Sequence, residues 1–175
     1  LVGSVDRTLG VMTSSRTVSN TVTNTSLNQA ANEGLVTIPA NGWAVGRTYI
    51  ITAWGVYGTT GTPTLNIRIR IGSAVAATGA LTMASSVTDG LWRADVMITC
   101  RTIGASGTVF AQGMVVYQTG AEVFSSTGSL KNTATDTIDT TTTQAIDLAA
   151  QWGTASASNT ITLTNYTIEE LQDPQ

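Results

Sequence analysis

The sequence has no histidine, one cysteine (Cys100) and one lysine (Lys131) among its 175 residues. Histidine is the commonest general base and transition-metal ligand in proteins, so its absence removes Ser-His-Asp and Cys-His catalysis. A single cysteine forms no intramolecular disulfide and no thiolate cluster for zinc or iron–sulfur. The sequence therefore predicts a protein that is not an enzyme and that holds no cofactor and no metal.

Charged residues are also scarce, at 11% of the chain, where soluble domains average about 25%. Eight basic residues against eleven acidic ones give a net charge of −3, which excludes the basic surface that nucleic-acid binding requires. No apolar run in the sequence approaches the roughly 18 residues that span a bilayer. We therefore expect neither nucleic acid nor a membrane among the partners.

Hydroxyl groups replace the missing charge, because the sequence holds 33 threonines and 14 serines. Threonine favours strands over helices, since its branched side chain packs well on a pleated surface. A surface of hydroxyl, amide and apolar groups with few charges suits burial in a closed symmetric assembly. The composition thus favours an all-β domain with a large contact surface.

The length suits a single domain, since chains divide into several only beyond roughly 250 residues. Residues 1–30 mix isolated apolar side chains with Thr, Ser and Asn and show no helical period. They are too polar to form a core of their own, so we predict an extended N-terminal arm. Residues 31–175 then form the jelly-roll domain described next.

From Gly34 onward, short runs of β-forming residues end at Gly, Pro, Asn or Asp, which is typical of a β-sandwich or barrel. The clearest alternation is in residues 65–71, where four apolar side chains share one face and Asn66, Arg68 and Arg70 the other. We predict about eight strands in a single jelly-roll β-sandwich. A different sandwich topology fits the same pattern, because periodicity does not report strand order.

Further strands are predicted at residues 46–57, 91–103, 108–117, 144–152 and 159–171. The first of these carries bulky side chains on both faces, which predicts a central strand or one at a subunit contact. Gly113 is a candidate bulge or point of close approach. Residues 125–143 have almost no large apolar groups, so we expect a surface loop or a segment ordered by a neighbour.

Arg68 and Arg70 are candidate contacts with a partner or ligand, since two guanidinium groups close together can bind the carboxylates of a partner. The alternative is a solvated strand face, or a cross-strand ion pair with Asp95 or Asp147. A pairing of Asp95 with Asp147 would instead be needed for carboxylate catalysis, which is the remaining enzyme hypothesis.

Two other acidic pairs carry weaker signals. Asp136 and Asp139 lie in the Thr-rich segment, but they lack the regular spacing of a calcium loop. Glu169 and Glu170 fall on opposite faces of the last strand, so they cannot form the paired carboxylates of a glycosidase. We expect both glutamates to serve solubility.

The four tryptophans are candidates for a sugar-stacking platform, or for core and subunit contacts. Trp92 and Trp152 fall on apolar strand faces and are predicted in the core. Trp43 lies in a turn, so we expect it to be exposed as a contact residue. Exposure of Trp43 together with Tyr57 beside acidic groups would favour glycan binding.

Three blocks of the sequence resemble the jelly-roll structural proteins of tailed bacteriophages. These blocks are residues 62–72 (TPTLNIRIRIG), the stretch from Leu91-Trp92-Arg93 to Gln112-Gly113, and residues 144–170. The resemblance covers about residues 31–171, and the same β-sandwich cadence occurs in trimeric C1q- and tumour-necrosis-factor-like modules.

The resemblance implies a non-enzymatic virion component, a decoration or cement protein that sits as a homotrimer on the capsid surface. Its partner would be the major capsid protein, and the arm of residues 1–30 would reach neighbouring capsid subunits. The candidate subunit or capsid contacts are Arg68, Arg70, Trp43 and Tyr57. No catalytic residue is carried over from this family. The alternative is a tail or fibre module that binds a cell-surface glycan.

Overall fold

The computed structural model describes residues 7–29, 35–120 and 123–171, and these residues form an all-β fold of thirteen strands. Every strand pairing in this part of the chain is antiparallel. Across the same residues, no helix is long and apolar enough to cross a membrane.

The strands vary from two to thirteen residues. The first seven are β1 (Arg7–Val11), β2 (Arg16–Ser19), β3 (Thr25–Ser26), β4 (Val36–Ile38), β5 (Thr48–Gly58), β6 (Thr64–Ile71) and β7 (Ala74–Thr82). The last six are β8 (Gly90–Thr102), β9 (Gly107–Gln118), β10 (Phe124–Lys131), β11 (Asp136–Ile138), β12 (Gln144–Trp152) and β13 (Thr160–Leu171).

The strand order is that of a jelly roll. In one sheet β13 lies between the short N-terminal strands β1 and β2 and the long strand β5, and β5 then pairs with β8. In the other sheet β12 lies between β3 and β4 on one side and β6 on the other, and β6 pairs with β7. We count β1 and β2 together as strand 1 and β3 and β4 together as strand 2, leave out β9, β10 and β11, and number the others in chain order. The two sheets then have the strand orders 1-8-3-6 and 2-7-4-5, which is the arrangement of two nested Greek keys. The predicted all-β jelly roll is therefore confirmed.

Three further strands are inserted between the sixth and seventh strands of the jelly roll. β9 pairs with β8 along its length, and β10 and β11 both pair with β9. β10 also pairs with β7 through Lys131 and Thr78, so the two sheets of the jelly roll are joined into one continuous, curled sheet. The insertion and the short edge strands explain why the strand count exceeds the predicted eight. We call β13, β5, β8, β9 and β10 the β5 sheet, and β12, β6 and β7 the β6 sheet.

The inner faces of the two sheets share one core. Leu65 and Ile67 of β6 line the same interior gap as Trp92 of β8 and Ile161 of β13. The alternation predicted for residues 65–71 is confirmed, because the four apolar side chains are buried and the polar ones are half-buried. β5 lies in the middle of its sheet, which confirms the prediction of a central strand.

The N-terminal segment is extended, but its described part is not a free arm. Residues 7–29 supply β1 and β2 along β13 and β3 along β12. Val18 and Leu27 are buried in the common core, because the open edges of the two sheets offer them apolar contacts. The expectation of an arm that leaves the domain is therefore corrected for residues 7–29, while residues 1–6 lie outside the described residues.

Residues 125–143 are not a surface loop. They contain most of β10 and all of β11, both ordered by pairing with β9. Only Leu130 and Ile138 anchor the segment in the core. Its low apolar content reflects a strand whose outward positions are filled by hydroxyl groups.

Candidate functional site

Trp43 is buried, with 3% of its surface exposed, so the prediction of an exposed contact residue is wrong. Its ring packs edge-on against Tyr49, with ring centroids 5.0 Å apart. The preceding turn folds back on itself, since the Gly42 N–H donates to the Pro39 carbonyl at 2.8 Å and Asn41 has φ 58°. A turn residue with a large apolar ring is thereby directed into the core.

Tyr57 is also buried, with 1% exposed, so it offers no surface to a partner or a glycan. Its ring lies edge-on to Tyr117, and its hydroxyl donates to the Gln118 carbonyl. Burial, with a smaller contribution from Tyr117, raises the pKa of Tyr57 to about 12. The inward position follows from the alternation of β5, which places every second side chain in the core. The predicted core positions of Trp92 and Trp152 are confirmed.

Arg70 forms the predicted cross-strand ion pair with Asp147. The two residues are register partners on β6 and β12, and Arg70 Nε donates to Asp147 Oδ2 at 2.8 Å. The Asp147 side chain is almost fully buried, with 4% exposed, whereas that of Arg70 keeps 30% exposed. A buried carboxylate of this kind depends on its arginine partner.

Arg68 contacts a neutral partner. Its guanidinium donates to Gln151 Oε1 across the same strand pair, and Gln151 in turn donates to the Val22 carbonyl. The side chain is half-buried on the outer side of the β6 sheet. A role of Arg68 or Arg70 in contacting another protein stays a prediction.

The other predicted acidic residues are held by local hydrogen bonds. Asn132 Nδ2 donates to Asp136 Oδ2 at 2.6 Å, and the Thr141 N–H donates to Asp139 Oδ1 at 2.9 Å. Within residues 7–29, 35–120 and 123–171, no three His, Cys, Asp or Glu side chains are grouped to hold a metal.

Glu170 is not a solubilising surface residue, which corrects the expectation for this position. It is buried and forms an ion pair with Arg47, whose Nε lies 2.9 Å from Glu170 Oε1. Burial and, to a smaller extent, the Glu170 carboxylate raise the pKa of the nearby Tyr49 to about 12. Glu169 points the other way and is half-exposed, as the prediction of opposite faces requires.

Asp95 and Asp147 are not brought together, so the carboxylate pair required by the enzyme hypothesis does not form. Asp95 lies on β8 in the β5 sheet, while Asp147 lies on β12 in the β6 sheet. Each is paired with its own arginine, Asp95 with Arg93 at 2.7 Å and Asp147 with Arg70.

The outer face of the β5 sheet is the most distinctive surface in the described residues. By the outer face we mean the side chains of the β5 sheet that point away from the core. Met97 is 51% exposed and Met114 is 49% exposed on adjacent strands. Together with Ile50 and Gln112 they line a groove of about 400 Å³ between β5, β8 and β9. Adjacent exposed apolar side chains, unlike scattered ones, mark an interaction surface.

Aromatic side chains extend this face toward the other end of the strands. The Trp54 ring lies 6.1 Å from the Phe124 ring, edge-on. The Arg93 guanidinium lies 4.8 Å from the centre of the Trp54 ring and pairs with Asp95 on its own strand. The charges in the middle of the face thus neutralise each other, and the apolar groups dominate it.

Sequence reasoning did not single out this face, although one signal was present. The alternation in residues 91–103 places Met97 on the same side as Arg93 and Asp95. An apolar side chain among outward polar ones is what an interaction surface requires. Its neighbours Ile50 and Met114 become visible only when the strand register is known.

Comparisons with known proteins found little. No protein-family model matches the sequence, and no curated protein matches it. Among solved structures, the chain is similar to the CBM2 module of the evolved Dit of Lactobacillus casei BL23 phage J-1. That similarity has 12% sequence identity and a TM-score of 0.39, over 99% of this chain and 100% of that module. At this TM-score it carries no argument about function.

Proposed function

We propose that the chain is a non-enzymatic structural component of a tailed-bacteriophage virion, and that it decorates the capsid surface as a homotrimer bound to the major capsid protein. The observation that carries the proposal is the apolar outer face of a jelly-roll domain whose central charges cancel. A free monomer would leave that face in water, whereas an assembly would bury it.

The resemblance of the sequence to phage jelly-roll proteins supports the same proposal. The three blocks that carry it, 62–72, 91–113 and 144–170, coincide with β6, with β8 and the first half of β9, and with β12 and β13. They are therefore the central strands of both sheets, which hold the fold together. A structural role also fits the described acidic residues, since Asp95 and Asp147 are each paired with an arginine.

The capsid contact does not need a free arm. Residues 7–29 are part of the jelly roll, so the capsid would bind a folded surface. Arg68 lies half-buried on the side opposite to the outer face, where it donates to Gln151, and a capsid contact there would use its remaining N–H donors.

The test is binding to capsids that lack decoration. The purified chain, sized by light scattering, should have about three times the 18.1 kDa mass of one copy, and it should co-sediment with the capsids. Bovine serum albumin at the same concentration serves as the control for trapping in the pellet. A monomer at micromolar concentration that stays in the supernatant would overturn the proposal.

The second candidate function is a tail or fibre module that binds a cell-surface glycan. The observation that favours it is the half-exposed Trp54 ring beside Arg93, Asp95 and Phe124, since sugars stack on aromatic rings flanked by polar groups. A glycan array distinguishes the two functions. Binding that is lost in Trp54→Ala and kept in Arg68→Ala would support this candidate over capsid decoration.

A further inference from the structure

One row of side chains crosses all five strands of the β5 sheet on its outer face. Register pairs join Glu169 of β13 to Ile50 of β5, Ile50 to Met97 of β8, Met97 to Gln112 of β9, and Gln112 to Lys131 of β10. The row therefore begins with an acid, ends with the only lysine of the chain, and is uncharged between them.

Neither end of this row is neutralised by another of the described residues. Among the described residues, ion pairs join Arg47 to Glu170, Arg70 to Asp147 and Arg93 to Asp95, and none includes Glu169 or Lys131. Strands lie about 4.8 Å apart, so the two charges are separated by about 19 Å, which is too far for an ion pair. The row continues on each side to an uncharged residue, Thr8 or Thr78.

We infer that this row is the contact between copies of the chain, and that Lys131 of one copy pairs with Glu169 of the next. The inference rests on the proposed function for the number of copies. When three copies turn their outer faces toward an axis parallel to the strands, the β10 side of each adjoins the β13 side of its neighbour. This contact is heterologous and closes after three steps.

The centre of the row fits the same arrangement. Met97 and Ile50 would converge on the axis, where water is excluded, and flexible methionine side chains fill irregular spaces well. Five strands of about ten residues present an area on the order of 700 Å², which each copy of a trimer would divide between its two neighbours. The opposite charges of Glu169 on β13 and Lys131 on β10 determine which sides of two neighbouring copies meet.

A charge swap tests the contact. Glu169→Lys and Lys131→Glu, each alone, place like charges at all three contacts, so we expect the dissociation constant of the trimer to rise at least about tenfold. The double variant Glu169→Lys/Lys131→Glu restores opposite charges and should return it to within about threefold of the wild-type value. Sedimentation velocity across a dilution series measures each constant, and thermal melts check folding.

An apolar pair of variants provides a second, independent test. Met97→Asp should give monomers, because it places a charge at the centre of the contact. Val75→Asp, at an exposed valine on β7 of the other sheet, is the matched control and should leave the trimer intact.

The outcomes separate this inference from the proposed function. A wild-type trimer that is unaffected by the single charge reversals, or a double variant no better than the singles, would overturn the row as the contact and leave the trimer standing. A wild-type monomer would overturn both. A wild-type dimer would overturn the threefold arrangement.

Discussion

Two arginine–aspartate pairs lie on the outward sides of the two sheets, and they differ in almost every physical respect. Arg70 and Asp147 are on neighbouring strands of the β6 sheet, with the carboxylate buried. Arg93 and Asp95 are on one strand of the β5 sheet, and both side chains keep more than a third of their surface exposed. The Arg70–Asp147 pair neutralises a buried carboxylate, whereas the Arg93–Asp95 pair neutralises charge on a surface that is in contact with water.

The difference shows how one alternating pattern produces two kinds of surface. The N-terminal strand β3 pairs along the edge of the β6 sheet, and polar groups of this sheet form hydrogen bonds within the molecule. The β5 sheet leaves Met97, Met114 and Phe124 in water. A chain with so few charges can thus give one sheet internal stability and leave the other free for assembly. The four predictions that follow would break or sharpen this contrast.

The largest effect is expected from Ile69→Asp. Ile69 is fully buried on the inner side of β6, so the substitution buries an unpaired carboxylate and should cost more than about 4 kcal/mol. The protein should fail to fold or should lose its cooperative melt in circular dichroism. Val75→Asp, at an exposed position of β7, is the matched control, and its melting temperature should stay within a few degrees of the wild-type value. A normal melt for Ile69→Asp would mean that the inner and outer faces are reversed.

The next effect separates the two ion pairs directly. Arg70→Met leaves Asp147 buried without a partner and should cost about 3–5 kcal/mol in urea unfolding. Arg93→Met leaves Asp95 in contact with water and should cost less than about 1 kcal/mol. The double variant Arg70→Met/Asp147→Leu should recover most of the loss. Equal costs for the two arginine variants would contradict the contrast between the sheets.

A smaller effect is expected from Asn28→Ala, which tests how the N-terminal segment covers the β6 sheet. The Asn28 amide donates to the Ile146 carbonyl at 3.1 Å and accepts from the Leu148 N–H at 3.0 Å, so the side chain continues the ladder of β12. It also donates to the Tyr166 hydroxyl at 3.0 Å, which links the two sheets.

Removing this amide leaves buried backbone groups unsatisfied, so the variant should lose about 2 kcal/mol of unfolding free energy. Gln29→Ala, at the exposed neighbouring position, should change it by less than about 0.5 kcal/mol. If both variants unfold at the same urea concentration as the wild type, the segment does not stabilise the sheet.

The smallest effect is on alkaline stability. The pKa of Tyr49 and that of Tyr57 are each raised from 10.0 to about 12, mainly by burial. A raised folded-state pKa gives stability that is complete below pH 10 and is lost as the pH rises toward 12. Each tyrosine should account for a loss of about 1.4 kcal/mol at pH 11. Both belong to β5, so Tyr49→Phe and Tyr57→Phe should each flatten the stability profile between pH 10 and 12. Tyr166→Phe should flatten it as well, because burial also raises the pKa of this β13 tyrosine.

The strands with strong alternation were predictable from the sequence. Residues 144–152 were predicted with the bounds that β12 has, and residues 65–71 lie one residue inside β6. Their apolar residues recur with a period of two over at least seven positions, which only a strand satisfies. No strand was predicted in residues 125–143, because their inward positions carry only a few apolar anchors, such as Leu130 and Ile138, so the pattern has no period to detect.

The surface was harder to predict than the core. Exposure of Trp43 was inferred from its place in a turn, but tertiary packing decides where such a side chain lies, and both Trp43 and Tyr57 are buried. The ion pair of Arg70 with Asp147 could be predicted from the sequence, because both residues lie on the polar side of predicted strands. The row from Glu169 to Lys131 was not, since it depends on four strand registers that no local pattern contains.

The pairing of the first strands with the last ones has a consequence for synthesis of the chain. Arg7 pairs with Glu170, and Ser26 pairs with Ala149, so β1 and β3 leave the ribosome long before the strands they pair with. At roughly 5–20 residues per second, the wait lasts on the order of ten to thirty seconds. During that time Val18 and Leu27, both destined for the core, are exposed to chaperones and to neighbouring nascent chains. Such non-local pairing also predicts refolding in milliseconds to seconds instead of microseconds.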